Sequence, residues 1–406
     1  MPAFVDRTLG PVLRRAAAEF PAVVLTGPRQ SGKTTLLTKL FGATHRRVSL
    51  ELPDVRAAAL ADPRGFLDAL GASAILDEVQ NAPELLPYVK ERIDARRGEK
   101  GLYLLTGSQN LLLLERVTES LAGRAAVLKL LPLSRREIAG APHASLPWEE
   151  RAVGYPAPGQ LPDDLWTALL RGSFPELAAE PRRDAVLWHA SYVQTYLERD
   201  VRNIRQVGDL TQFQTFLRAL AARSAQLLRL SEIARDVGVA VNTVKAWISV
   251  LEATSQILLL RPYHANVGKR LVKSPKIYFT DTGLLGYLVG LRDPRHAAAG
   301  PMGGAIFETA VVAEVLKAYL HRGIEPSLHF WRTSAGAEVD LLVEVDGRLI
   351  PVEAKLSATP RTAWSSGIAA LRGALPGRVD EGWVIHPGDV RIPLGSGATA
   401  LPFNEL

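Results

Sequence analysis

No cysteine occurs among the 406 residues, which excludes disulfides, thiolate zinc sites and cysteine nucleophiles together. No apolar run reaches the roughly 18 residues of a membrane span, and the opening stretch MPAFVDRTLG lacks the charged region followed by an apolar one that marks a secretory leader. A cytoplasmic chain with no membrane partner is therefore expected. Internal repeats and low-complexity tracts are also lacking, and the 8 histidines show no ligand spacing, which argues against a zinc enzyme. The composition is that of a globular protein, 47% hydrophobic and 22% charged, with enough chain for two to four domains. Charge is unevenly spread. The net charge is +6, yet residues 303–406 hold 9 Lys+Arg against 12 Asp+Glu, so residues 1–302 carry +9. A polyanion, if bound, belongs to that earlier part.

Two Pro/Gly-rich stretches, 139–164 and 292–304, break the periodic segments and read as linkers or long loops. They separate a first block of alternating apolar strands and helical patterns, as in an α/β parallel sheet, from a mainly helical block ending in two short strands. The last block returns to a helix and hairpins.

In AVVLTGPRQSGKTTLL an apolar strand is followed by Gly27, Pro28, Arg29, Gln30, Ser31, Gly32, Lys33 and Thr34, then Thr35 and a helix. This is the phosphate-loop pattern in the context it requires. Its glycines let backbone N–H groups turn inward at a helix N-terminus, Lys33 neutralises β- and γ-phosphate oxygens, and Thr34 reaches Mg²⁺, so ATP and Mg²⁺ are the expected cofactors. A second strand ends in Asp77-Glu78, where an acid on Mg²⁺ and a carboxylate polarising the attacking water are expected; a helix-capping acid pair is the plainer reading. A third, LYLLTGSQN, delivers Ser108, Gln109 and Asn110 to the same sheet edge, either as a γ-phosphate sensor or as an ordinary polar turn.

LRLSEIARDVGVAVNTVKAWISVLEA reads as a helix-turn-helix, with Ser231 and Asn242 as N-caps and Val244, Trp247, Ile248 and Leu251 on one apolar face. Two strands and the loop between them complete the layout of a wing. Arg261, Lys269, Arg270, Lys273 and Lys276 fall between Arg261 and Thr280 with no acid among them, enough for several phosphate contacts. The second helix exposes only Lys245, so DNA binding without sequence preference is expected. A winged helix used for packing is the alternative.

In AEVDLLVEVDGRLIPVEAK, Asp346-Gly347 marks a two-residue type I′ hairpin. That turn sets Val345 opposite Arg348, Leu342 opposite Pro351, Asp340 opposite Glu353 and Glu338 opposite Lys355. Opposed carboxylates repel, so one of the two is protonated, a cation sits between them, or the register differs. A divalent ion, Mg²⁺ or Mn²⁺, shared by Asp340 and Glu353 relieves the repulsion, with Glu308 of the preceding helix completing the shell and Lys355 orienting the attacking water. A helix, a strand with Asp340 and a strand with Glu353-x-Lys355 make the PD-(D/E)xK nuclease arrangement. Surface pairs Glu338/Lys355 and Asp340/Arg332 without metal are the alternative.

The stretches GPRQSGKTT, AILDE, LTGSQN and ESLAGRAAVLKLLPLS resemble the AAA-type ATPases of bacteria and archaea whose C-terminal half is a domain of unknown function with a nuclease-like fold. The resemblance continues through RGSFPE (171–176), YLERDV (196–201), SPKIYFTDTGLLGYL (274–288) and the 330–355 hairpin. It implies an ATPase related to origin-recognition and replication-type AAA proteins. It also implies Arg124 of LAGR as an arginine finger, which needs a homo-oligomer; a local salt bridge is the other reading of Arg124. The expected architecture is α/β: an AAA-type core with a parallel sheet over 1–140, a lid-like helical region over 141–225, a mainly α winged-helix domain over 226–291 and a restriction-endonuclease-like domain over 303–406. The expected function is Mg²⁺-dependent ATP hydrolysis by a protein that holds DNA on its winged helix and cuts or grips it with the last domain. A switch without cleavage and a protein-remodelling ATPase are the alternatives.

Overall fold

The structure, a computed structural model, describes residues 4–107, 119–149, 165–197, 210–263 and 274–406. The first block forms a parallel five-stranded sheet in the order β2-β3-β4-β1-β5, with β1 Ala22–Thr26, β2 Arg46–Ser49, β3 Ala74–Asp77, β4 Tyr103–Gly107 and β5 Ala125–Lys129. β1, β3 and β4 are buried along their whole length. That is why AVVLT, AILD and YLLTG read as unbroken apolar runs rather than alternating ones: helices cover both faces of the sheet. The C-terminal ends of β1, β3 and β4 share one edge, where residues 27–34, Asp77 and Thr106 meet.

The helix-turn-helix is present as Leu230–Val237 and Val241–Ala253, with Val244, Trp247, Ile248 and Leu251 buried as the periodicity predicts. The predicted caps are corrected. Arg229 and Ala240 stand at the N-caps, neither with a side-chain cap bond, because each helix begins one residue before the cap position read from the sequence. Ser231 and Asn242 thus fall inside the first turns.

β6 (Ile257–Pro262) and β7 (Lys276–Phe279) pair antiparallel but do not stand apart as a free ribbon. Arg261 and Pro262 also pair parallel with His329 and Phe330 of β8 (Ser327–Arg332). The ribbon thereby joins an eight-stranded sheet in the order β12-β13-β11-β10-β9-β8-β6-β7, with β9 Glu338–Val345, β10 Arg348–Ala354, β11 Gly382–His386, β12 Ile392–Gly395 and β13 Ala398–Pro402. One core runs from Leu146 through Trp247, Phe307 and Trp383 to Leu406. The 292–304 stretch, expected to be a loop, holds a helix, Pro294–Ala299, capped by Asp293. Next comes helix Gly303–Leu320, buried on nearly every side, as an all-round apolar helix must be. No helix among the described residues is long and apolar enough to cross a membrane.

Candidate nucleotide site and C-terminal carboxylate cluster

The loop after β1 has the backbone its sequence requires. Gly27 (φ 140°), Gln30 (φ 63°) and Gly32 (φ 91°) all take positive φ, and a Cβ on Gly27 would lie 2.1 Å from the Leu130 carbonyl oxygen, so only glycine fits there. The Lys33 ammonium is folded into the loop, donating to the carbonyls of Gly27 (2.9 Å) and Pro28 (2.8 Å). Asp77 accepts from Thr34 Oγ1 at 2.6 Å, Thr106 Oγ1 at 2.5 Å and Arg47 at 3.0 Å. Glu78 has φ 55°, a left-handed conformation uncommon for a residue with a side chain and enriched at functional sites. Its N–H donates to Thr106 Oγ1 (3.1 Å) and its carboxylate accepts from Gln80.

A cavity of about 660 Å³ opens here, lined by Lys33, Thr34, Thr35 and Glu78 together with Pro175, Glu176 and Ala179 of the helix Pro175–Ala179. The RGSFPE stretch thus walls the loop. Mg²⁺-ATP fits these residues. Ser31 Oγ is buried with no hydrogen-bond partner, the Lys33 bonds to carbonyls are ones a phosphate can take over, and the Thr34 hydroxyl beside Asp77 is an all-oxygen pair suited to Mg²⁺. Ser108, Gln109 and Asn110 lie outside the described residues.

Three residues here escape sequence reading. Thr106 is fully buried and ties Asp77 to the Glu78 backbone; its only signal is its place in LLTGSQN. Arg47 reaches Asp77 from β2. Arg7 is buried and donates to the Ser31 carbonyl (2.8 Å), the Leu131 carbonyl (2.7 Å) and Glu137 (3.1 Å). Glu137 also lies 3.3 Å from His321, at the end of the long C-terminal helix. Burial would raise the Glu137 carboxyl, but His321 and Arg7 hold it well below the usual carboxylate range. No short motif marks this chain of contacts, which links residues 7, 137 and 321.

Arg124 lies at the opposite end of the sheet from the loop. Its carbonyl accepts from Ala22 N, at the start of β1, and its guanidinium holds Asp94 through two bonds, 2.7 and 3.0 Å. Within one chain it makes the local salt bridge.

In the C-terminal hairpin, Asp346 and Gly347 have positive φ, and the pairs Val345/Arg348 and Leu342/Pro351 form as the turn predicts. Past Val352 the ladder gives way to a side chain, Asp340 Oδ2 accepting from Ala354 N at 3.0 Å. The cluster differs from expectation in its cations. Lys276, assigned from sequence to DNA, is 4% exposed, and its ammonium lies 2.6 Å from Glu338, 3.0 Å from Glu308 and 3.6 Å from Asp340. That assignment is corrected, because an ammonium surrounded by three carboxylates is not free for phosphate. Lys355 pairs with Glu353 (2.6 Å) rather than with Glu338, which takes Arg332 as its second partner.

Tyr278 donates to Glu308 at 2.6 Å. Burial, then the Asp340 charge, raise Glu353 to about 8 and Glu308 to about 7. Burial alone would lower the Lys276 pKa, but Glu308, Asp340 and Glu338 raise it above the ordinary lysine value. Among the described residues no group of three or more His, Cys, Asp or Glu is disposed to hold a metal ion. Of the three ligands expected from sequence, Glu308 and Asp340 face Lys276 and Glu353 faces Lys355 instead. Of the DNA candidates, Lys245 and Arg261 are exposed, whereas Lys269, Arg270 and Lys273 lie outside the described residues.

A phosphate loop at the end of a buried parallel strand, an acid at the end of the neighbouring strand and a threonine between them define a P-loop ATPase of the AAA type. Residues 19–139 match the family described as "AAA domain", residues 162–295 a "Domain of unknown function (DUF8612)" and residues 303–406 a "Domain of unknown function (DUF4143)". The chain belongs to the family of two mycobacterial proteins, Uncharacterized protein Mb2031c of Mycobacterium bovis and Uncharacterized protein Rv2008c of Mycobacterium tuberculosis. Each is 34% identical over 400 residues, covering 97% of this chain and 82% of the relative. Similar solved structures include the Walker-type ATPase PABY2304 of Pyrococcus abyssi (16% identity, 70% of this chain and 96% of that one, TM-score 0.47). Another is a single-substitution variant of RuvB of Thermotoga maritima (17%, 63% and 88%, TM-score 0.27).

Proposed function

We propose that this ATPase is a nucleotide-controlled switch in which ATP binding and hydrolysis set how its C-terminal two-thirds hold DNA. The observation that supports it best is the shared wall of the nucleotide cavity: Pro175, Glu176 and Ala179 come from the second segment and face Lys33 and Thr34 of the first. A phosphate arriving or leaving is then felt by both segments.

In hydrolysis, water attacks the γ-phosphorus, the bond from that phosphorus to the bridging oxygen breaks, and ADP and phosphate leave. Glu78 orients the water and takes its proton. Residues 27–35, with Lys33 foremost, bind the phosphates through backbone N–H groups and the ammonium. Thr34 and Asp77 would hold Mg²⁺, which when bound screens the charge of the β- and γ-phosphates. Ser108 is assigned, from its place after β4 in the sequence, to sense the γ-phosphate. Arg124 acts only in trans, in a homo-oligomer where it leaves Asp94 for a neighbouring subunit's cavity.

DNA is the partner that the charge of the middle segment favours: residues 141–302 hold 19 Lys+Arg against 15 Asp+Glu, +4, with Lys269, Arg270 and Lys273 as contacts that recognise phosphate rather than base. The buried Lys276 favours gripping over cutting in the last domain.

The test is DNA affinity for duplex and single strands with ATP, ADP and no nucleotide, over a range of salt. Affinity that changes with nucleotide, falls steeply with salt and loses its nucleotide dependence in Lys33→Ala is expected. Equal affinity in all three states defeats the switch, and binding without a salt slope moves the assignment to a protein-remodelling ATPase.

A further inference from the structure

The C-terminal carboxylate cluster poses a problem of charge that the fold solves in an unexpected way. Glu308 comes from the long helix, Glu338 and Asp340 from β9 and Glu353 from β10. Four carboxylates converging in a poorly hydrated place need a positive charge among them. Two kinds of cation satisfy such a set: a divalent ion with oxygens at about 2.0–2.6 Å, or an ammonium at hydrogen-bonding distance.

The chain supplies the second from β7. Lys276 is fixed at the backbone by pairing with Leu260 and by a bridge to Leu227, and its ammonium lies 5.7 Å from the centre of the Phe330 ring. It ends within 3.6 Å of three of the four carboxylates, while Lys355 serves the fourth. Tyr278, two residues along, holds Glu308 toward the same point. The cluster is nonetheless within reach of solvent, since a cavity of about 510 Å³ is lined by Glu338, Asp340, Glu353 and Lys355. Gly367 closes tightly on this place: a Cβ there would lie 2.5 Å from Glu353 Oε1 and 2.1 Å from the Glu338 carbonyl oxygen.

We infer that Lys276 is a built-in cation for Glu308, Glu338 and Asp340, standing beside rather than between the Asp340 and Glu353 carboxylates of a nuclease-like site, so that the native cluster works without metal, and that a neutral side chain at 276 leaves Glu308, Glu338 and Asp340 to take a divalent cation in its place. The inference rests on the nuclease-like reading of residues 303–406 but not on DNA binding or ATP control, and its readout involves neither.

The test uses the full chain without nucleotide, Mn²⁺ as the probe, and four proteins: parent, Lys276→Gln, Lys276→Arg and Lys276→Gln/Asp340→Asn. Mn²⁺ binding is followed by electron paramagnetic resonance, folding by circular dichroism, and melting with EDTA or Mn²⁺. Parent and Lys276→Arg should bind no Mn²⁺ at the cluster and melt alike in both buffers. Lys276→Gln should melt lower in EDTA, bind one additional Mn²⁺ and recover with it, the folding equilibrium shifting about 100-fold at a hundredfold excess over Kd. The additional ion should vanish in the double variant.

Three outcomes overturn the inference. One is a folded Lys276→Gln that binds no additional Mn²⁺. Another is a Lys276→Gln that stays unfolded in both buffers, since a divalent ion then cannot replace the ammonium. The third is Mn²⁺ binding by the parent that Asp340→Asn, introduced alone for this comparison, removes.

Discussion

Two buried lysines, Lys33 and Lys276, set the nucleotide site against the C-terminal cluster. Both are about 95% hidden from solvent, and both stand at the start of a regular element, Lys33 opening a helix and Lys276 a strand. The difference lies in the partners. Two of the bonds on Lys33 go to neutral carbonyls of its own loop, which an arriving phosphate outcompetes because a charged acceptor binds an ammonium more strongly. Lys276 is surrounded by carboxylates on three sides, and removing one partner of such a group leaves uncompensated buried charge. The same residue type is therefore exchangeable in one place and locked in the other.

The largest separation of the two should come from removing each ammonium. Lys33→Ala should abolish ATP hydrolysis, by at least about 100-fold, with little change in the melting temperature of the nucleotide-free protein. Lys276→Ala should leave ATP hydrolysis in place but lower stability by about 3–5 kcal/mol in metal-free buffer. Steady-state ATPase assays beside urea titrations check both. The reverse pattern would mean that the roles of the two lysines have been exchanged.

Next in size is Glu78→Gln, which should bind ATP with near-parental affinity yet turn it over at least about 100-fold more slowly, measured by fluorescent-nucleotide titration and phosphate release. Parental turnover would remove Glu78 from the water-orienting role.

Arg7→Ala sharpens the comparison from a third direction, because its guanidinium supports the phosphate loop, pairs with a buried carboxylate and also lines the nucleotide cavity. A loss of about 3 kcal/mol is expected. Loss of hydrolysis with unchanged stability would instead place Arg7 in the chemistry.

The cluster should also give the protein a pH dependence. Glu353 and Glu308 have folded-state pKa values raised to about 8 and about 7, so the folded chain binds more protons than the unfolded one between about pH 4.5 and 8. Their contribution is complete below the unfolded value and is lost as pH rises through the folded values. Asp340→Asn removes a charge that raises both, and should flatten that slope by on the order of 1–2 kcal/mol between pH 5 and 8. Identical slopes in parent and variant would contradict the shared field.

The smallest effect is expected at Arg124. Arg124→Ala should change the melting temperature little, since the pair with Asp94 is partly solvent-exposed and screened. If Arg124 acts in trans, mixing inactive Arg124→Ala with inactive Lys33→Ala should restore hydrolysis in assembled oligomers; no restoration removes the trans role.

How much of this was legible in advance follows from the range of the interactions. Residues 27–35 form a site within nine positions, so the spacing of Gly27, Gly32, Lys33 and Thr34 already carries the backbone path and the chemistry. The apolar strands, the helix-turn-helix face of Val244, Trp247, Ile248 and Leu251, and the hairpin register set by Asp346-Gly347 are likewise local patterns of period 3.6 or 2. Charge, read locally, misled: Lys276 follows a run of basic residues and looked like one more phosphate contact.

The sequence by itself therefore determined the phosphate loop, the strands that carry it and the pairing of the C-terminal hairpin, because each depends on neighbours within a turn or one ladder. Only the tertiary structure decided that the second segment walls the nucleotide cavity, that Arg7 braces the loop across 130 residues to Glu137, and that β6 joins β8 so that Lys276 is carried in among Glu308, Glu338 and Asp340. Those facts turn on which distant side chains share a low-dielectric space, and there a single charge finds its partners through the packing of whole elements rather than through its neighbours in the chain.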